Sequence, residues 1–133
     1  MSLQEYLASS VCRSAAVRET LPDGFLMCRI KPKPLGTPPL DQKDWVTSYI
    51  APKNVYTTPY GKRFVVNCDS GVFSYTITSC DVAYDLVSDI DIFYRFLPYL
   101  GPFPVRIENI VAFDRLLRAA VEKAVVKNYP WRR

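Results

Sequence analysis

Three aspartates at four-residue spacing are the clearest candidates for chemistry in this sequence. Asp81, Asp85 and Asp89 would share one side of a helix, and Asp91 follows directly. Carboxylates gathered in this way can hold a divalent cation or share a proton. The same spacing is typical of a solvated helix face or of a docking face for a basic partner. We favour the solvated face, because five glycines leave little room for a phosphate-binding loop.

Histidine is missing from the chain. Every mechanism that needs an imidazole base, nucleophile partner or metal ligand is therefore missing as well. Serine and cysteine nucleophiles lack their usual base, and no motif indicates a substitute. The sequence predicts a protein that is not an enzyme and that has no cofactor, no catalytic residue and no metal site.

The four cysteines are widely separated: Cys12, Cys28, Cys68 and Cys80. Structural zinc sites normally show two short cysteine or histidine pairs, and no such pair is present. A chain of this size can fold on its core alone, and no apolar signal-peptide core is visible. We therefore expect buried free thiols in an intracellular, reducing compartment, with disulfides as the alternative. Serine and arginine residues near the N-terminus add mitochondrial targeting as a further hypothesis.

Aromatic residues gather in two segments that a small core does not require. The first segment, 32–60, holds six prolines, which exclude a long helix and favour an extended arm. The second is the C-terminal tail, 128–133. Aromatic and arginine side chains dominate the energetics of protein interfaces. We predict that a partner contacts the following residues of these segments: Trp45, Tyr49, Tyr56, Tyr60, Tyr129, Trp131, Arg132 and Arg133.

Charge is distributed unevenly along the chain. The net charge is +4, yet residues 69–97 hold five aspartates and one arginine, whereas residues 98–133 hold seven basic and three acidic side chains. Complementary blocks of this kind are usually solvated faces, and they can also orient a charged partner. No apolar stretch reaches the length that a helix needs to cross a bilayer.

Apolar spacing predicts an α+β fold in one domain, 1–133. We expect a small antiparallel sheet of three strands or more, an N-terminal helix, a C-terminal helical layer and the proline-rich extended segment. The predicted helices span 3–18, 41–49, 82–90 with a further turn through 93–97, and 106–127. The predicted strands span 25–30, 62–68 and 72–79, the last two forming a hairpin in which Cys68 faces Phe73.

These features together indicate a non-catalytic structural or accessory subunit of a larger intracellular assembly, such as an organellar complex or a viral particle. Its partners would be other protein subunits. The first alternative is a small carrier for an apolar ligand, with a pocket lined by Phe64, Val66, Tyr75, Ile77, Phe93 and Phe113. The second, less favoured, is an accessory nucleic-acid-binding protein that uses Lys62, Arg63 and the basic C-terminal helix.

Overall fold

Six strands and two long helices make up the computed structural model, which describes residues 3–15, 17–30, 46–70, 77–87, 89–97 and 107–128. The elements in chain order are α1 (Leu3–Arg13), β1 (Val17–Thr20), β2 (Leu26–Ile30), β3 (Val46–Ile50), β4 (Val65–Ser70), β5 (Ile77–Val87), β6 (Ile90–Phe96), a single 3₁₀ turn (Ile107–Asn109) and α2 (Ile110–Asn128). The strands form one antiparallel sheet in chain order. The α+β prediction is confirmed.

Helix α1 lies on one face of this sheet. Leu26, Ile50 and Val65 are paired across adjacent strands and therefore point to the same side. Ala8 of α1 packs against them, with Cys12 beside it. At the start of the helix, Asn67 of β4 donates its side-chain amide to Gln4.

The main core lies on the opposite face, between the sheet and α2. Strand residues alternate between faces, so the neighbours of the first set point here. Ile110 is fully buried in this core, and Phe113, Leu117, Val121 and Val125 pack against it from the same helix. Their three- and four-residue spacing is the apolar stripe that predicts the C-terminal helix, which is confirmed. The sheet is therefore covered by one helix on each face.

Two disulfides are present, one between a helix and the sheet and one within the sheet, so the prediction of free thiols is wrong. Cys12–Cys28 joins α1 to β2, and Cys68–Cys80 joins residues that face each other on β4 and β5. The spacing of the cysteines along the chain does not reveal the Cys68–Cys80 bond. That bond depends on the pairing register of β4 and β5, which brings the two Cα atoms to 4.0 Å. Disulfides persist in oxidising compartments, so the expectation of a reducing compartment loses its basis.

The predicted helices over 82–90 and 93–97 are wrong, because residues 82–87 belong to β5 and residues 90–96 to β6. β5 and β6 pair from Cys80–Phe96 to Asp85–Asp91. Valine, isoleucine, tyrosine and phenylalanine fill these strands, and such side chains pack well on a pleated surface. The predicted hairpin register is also wrong, since Cys68 pairs with Cys80, while residues 71–76 lie outside the described part.

Three further boundaries differ from the sequence prediction. The N-terminal helix ends at Arg13, and residues 17–20 form β1 instead of its last turn. Residues 46–49, predicted as part of a short helix, belong to β3 in the middle of the sheet, because no proline interrupts 46–50. Residues 32–45 of the proline-rich arm and 129–133 of the tail lie outside the described residues. The strand predicted over 25–30 is confirmed.

No helix among the described residues is both long enough and apolar enough to cross a membrane.

Candidate functional site

A buried carboxylate lies at the centre of the α2 interface. Asp114 is fully buried, because it interrupts the apolar stripe of α2 between Ile110 and Leu117. Tyr56 donates its hydroxyl to Oδ2 at 2.6 Å, and Tyr94 donates to Oδ1 at 2.8 Å. The Tyr84 hydroxyl lies 2.9 Å from both oxygens. Three phenols thus converge on one carboxylate, from β5, from β6 and from the loop between β3 and β4.

Arg118 completes this tyrosine–aspartate cluster, which consists of Tyr56, Tyr84, Tyr94, Asp114 and Arg118. Its Nη2 lies 3.1 Å from Asp114 Oδ2, one helical turn away on α2. Its Nε donates to the Tyr84 hydroxyl at 3.2 Å. The guanidinium also lies over the Tyr56 and Tyr84 rings, at 4.7 and 4.8 Å from their centroids. The negative and positive charges of the cluster are both partnered.

All three tyrosines of the cluster hold their protons more tightly than a free tyrosine does. Burial is the main cause that raises the pKa of Tyr56, Tyr84 and Tyr94, and the Asp114 charge and hydrogen bonds raise each of them further. For Tyr84, the Arg118 hydrogen bond partly opposes this increase. At neutral pH the phenols are therefore hydrogen-bond donors to Asp114 and do not accept protons. The cluster thereby joins α2 to β5, β6 and the segment that holds Tyr56.

The cluster also fixes the turn at residues 57–63. Arg118 Nη2 donates to the Thr57 carbonyl at 3.2 Å, directly after Tyr56. Within the turn, the Thr58 amide donates to the Lys62 carbonyl and the Gly61 amide to the Thr58 carbonyl, each at 2.9 Å. Gly61 has a φ of +74°, a conformation that favours glycine. A turn braced in this way presents its tip residues in a defined position.

An opening adjoins this turn, where two strands separate. β4 pairs with β5 only as far as Asn67–Asp81, although both strands continue beyond that point. The wedge pocket, with a volume of about 290 Å³, lies beside this point, between the turn and the β5–β6 pair. It is lined by Gln4, Thr58, Tyr60, Lys62, Arg63, Ala83, Tyr84, Asp85, Asp91, Ile92 and Phe93. Tyr84 thus belongs to both the cluster and the pocket.

The wedge pocket has exposed aromatic rings and charges of both signs. Tyr60 is 54% exposed and Phe93 is 63% exposed. Lys62 and Arg63 form no ion pair with any other described residue. Asp85 and Asp91 face each other across β5 and β6, and their hydrogen bond is the main cause that raises the pKa of Asp91. The pocket therefore offers a cationic side, an acidic side and two apolar contacts.

Comparison of the chain with protein-family models, with curated proteins and with solved structures finds no match. The function therefore has to be inferred from the chemistry of the cluster and the wedge pocket.

The predicted partner residues lie in different environments. Tyr49 and Tyr56 are 7% and 8% exposed and belong to the main core, which leaves little of either ring for a partner. Tyr60 is exposed and lines the wedge pocket. The remaining candidates lie outside the described residues and stay predictions: Trp45, Tyr129, Trp131, Arg132 and Arg133.

The predicted apolar carrier cavity is not formed by its described members. Phe64 and Val66 are fully buried in the main core, whereas Phe93 is exposed at the wedge pocket. Of the aspartates in the first prediction, Asp81 lies 3.9 Å from Arg95, whereas Asp85 and Asp91 share a hydrogen bond. No group of three or more acidic, cysteine or histidine side chains in the described residues is arranged to hold a metal ion.

Sequence reasoning missed the role of Asp114 and of Tyr84 and Tyr94. One indication was available, since an aspartate in the apolar stripe of a helix needs buried donors. The sequence does not reveal which residues are those donors. They come from β5, β6 and the loop between β3 and β4, and only the tertiary fold brings these segments to α2.

Proposed function

We propose that the protein is a non-catalytic accessory subunit of a larger assembly and that it contacts a partner protein through the wedge pocket. The observation that carries this proposal is the juxtaposition of exposed Tyr60 and Phe93 with Lys62 and Arg63, which form no ion pair with another residue that the structure describes. Tyrosine and arginine are enriched among the residues that contribute most to protein interfaces.

The rigid mounting of the turn supports the same proposal. Tyr56 and Arg118 hold the start of the turn, and internal hydrogen bonds hold its tip. A partner that binds such a surface loses less free energy to the ordering of loops and side chains. The cluster would therefore serve binding indirectly, by fixing the positions of Tyr60, Lys62 and Arg63.

A non-catalytic role fits the state of the titratable groups. The cluster phenols are protonated at neutral pH, and Asp114 is saturated with donors. Contacts, and not covalent chemistry, are the use that this arrangement favours.

We propose an oxidising compartment for this assembly. Two disulfides join α1 to β2 and β4 to β5, and such bonds are rare where thiols are kept reduced. The proposal includes an organellar complex or a viral particle, provided that its environment is oxidising. The mitochondrial hypothesis carries the same condition.

The alternatives receive less support from the wedge pocket. Asp85 and Asp91 stand beside Lys62 and Arg63, and their negative charge disfavours a phosphate backbone. An apolar ligand would make no use of the charges of Lys62 and Arg63. Neither alternative accounts for both the cationic and the acidic side of the pocket.

Site-specific photo-crosslinking tests the proposal. A benzoylphenylalanine replaces Tyr60 in one variant, Phe93 in a second and exposed Glu122 of α2 in a control. In extracts of the source, we expect positions 60 and 93 to capture the same protein and position 122 not to capture it. Capture at all three positions alike, or at none, would contradict the proposal.

A further inference from the structure

The direction of the backbone groups in the wedge pocket follows from the pairing of β4 with β5. Opposed residues of antiparallel strands alternate between hydrogen-bonded pairs, with Cα atoms about 5.5 Å apart, and non-hydrogen-bonded pairs at about 4.5 Å. The Cα atoms of Cys68 and Cys80 are 4.0 Å apart, so this pair is of the second kind. The backbone groups of Cys80 therefore point to β6, and those of Asp81 point to β4.

The same alternation continues along β5 into the wedge pocket. Ala83 and Asp85 lie two and four residues beyond Asp81, so their N–H and C=O groups point to the same side as those of Asp81. The register with β6 runs unbroken from Cys80 to Asp85, which keeps this alternation intact. No described residue of β4 pairs with β5 beyond Asp81. β5 thus presents an open inner edge.

The facing wall also directs backbone groups into the pocket. The Phe64 carbonyl accepts from the Ala51 amide at 3.0 Å, so Phe64 is directed away from β5. Its neighbours Val65 and Arg63 are therefore directed towards β5. The antiparallel bridge between Thr57 and Arg63 lies on the other side of this wall and leaves that direction unchanged.

We propose that the wedge pocket receives an extended peptide segment of the partner protein, which pairs with the inner edge of β5 and directs an acidic side chain to Lys62 and Arg63. Unpaired edge groups are a template for an added strand, and main-chain hydrogen bonds supply affinity in such complexes. This inference rests on the proposed function and specifies the chemistry of the partner.

The size and charges of the pocket define the segment further. A volume of about 290 Å³ is at the lower end of ligand pockets and accommodates only a short segment. Lys62 and Arg63 match an acidic side chain, while Asp85 and Asp91 match a basic one further along. Tyr60 and Phe93 can cover apolar side chains between them. We therefore expect an extended segment that carries charges of both signs.

A displayed library of random heptapeptides, selected on the full chain with its disulfides intact, tests the inference. We expect a consensus that contains an acidic and a basic residue. The synthesised consensus peptide should bind the double variant Lys62→Glu/Arg63→Glu about tenfold more weakly than it binds the unchanged protein, or more weakly still. Its affinity for the control variant Lys123→Glu, on α2, should equal that for the unchanged protein. A peptide N-methylated at its central residues should also bind at least about tenfold more weakly, because it lacks backbone donors. The milder variant Lys62→Gln/Arg63→Gln serves if the charge reversal disturbs folding.

Selection that yields no consensus, or a peptide that binds equally after N-methylation and after charge reversal, would overturn the inference. The crosslinking experiment separates this failure from failure of the proposed function. If positions 60 and 93 capture one partner while the peptides fail, the wedge pocket contacts a folded surface, and only the peptide inference is lost.

Discussion

The tyrosine–aspartate cluster and the wedge pocket contain the same kinds of side chain in opposite states. In the cluster, Asp114 and Arg118 are partnered by phenols, by each other and by the Thr57 carbonyl. In the pocket, Tyr60 is exposed, and Lys62 and Arg63 form no ion pair with any described residue. Residue type alone therefore does not distinguish a structural from a binding role. The number of partners supplied within the fold distinguishes them.

Removal of the cluster carboxylate should have the largest effect on stability. Asp114→Ala leaves three phenols and the Arg118 guanidinium without their acceptor in the core, a change that costs about 3–5 kcal/mol for a broken buried ion pair. Glu122→Ala, on the exposed side of the same helix, should change the unfolding free energy by less than about 0.5 kcal/mol. Denaturant unfolding of both variants measures the difference. Similar values for both would show that the cluster does not stabilise the fold.

Alkaline pH should weaken the whole cluster at once. The pKa values of Tyr56, Tyr84 and Tyr94 are raised, so the folded chain keeps these protons longer than the unfolded chain does. Stability should therefore be unaffected below about pH 10, the ordinary tyrosine pKa, and should fall as the pH rises above it. Tyrosinate absorbance should show these phenols ionising only as the chain unfolds. Their ionisation in the folded state near pH 10 would contradict the account.

Two tyrosine variants compare the regions directly. Tyr94→Phe removes a hydroxyl that donates to Asp114 at 2.8 Å, and hydrogen bonds to charged groups contribute about 1.5–3 kcal/mol. Tyr60→Phe removes an exposed hydroxyl and should leave stability within about 0.5 kcal/mol. Thermal unfolding gives both values. The comparison fails if Tyr60→Phe is the more destabilising variant.

The smallest effect should come from the acidic pair of the pocket. The pKa of Asp91 is raised, chiefly by its hydrogen bond with Asp85, so the folded chain favours the protonated form. Stability should therefore rise as the pH falls below neutral and reach its plateau below the ordinary aspartate pKa. Asp91→Asn should slightly raise the melting temperature at neutral pH and lose that advantage in acid. The opposite pH dependence would exclude a shared proton at this pair.

The sequence predicts elements well where one period dominates. The apolar residues of α2 recur every three or four positions, and residues 25–30 are a short apolar run. Both patterns are unambiguous, and the structure confirms the helix and the strand. The segment of β5 carries two conflicting patterns. Asp81, Asp85 and, just beyond the strand, Asp89 recur every four residues, as on one side of a helix. Val82, Tyr84 and Leu86 alternate and are buried, which is the period of a strand. The strand pattern prevails because these three side chains fill the core beneath α2.

The candidate site is less accessible to sequence reasoning than the fold. Tyr60, which is predicted to contact a partner, is exposed, whereas Tyr49 and Tyr56 from the same prediction are buried in the core. The wedge pocket lies where β4 no longer pairs with β5, beyond Asn67–Asp81, and no local pattern encodes that end of the pairing. The two disulfides depend on tertiary register in the same way.

Amide hydrogen exchange of the free protein, followed by NMR, tests the central claim most directly. Val82 and Tyr84 pair with β6, and Asp81 pairs with Asn67, so their amides should be protected. The Ala83 and Asp85 amides point into the wedge pocket and should exchange at least about tenfold faster than these neighbours. Such alternation along β5 is the predicted result. Equal protection of all five amides would show that the inner edge of β5 is closed and would contradict the account.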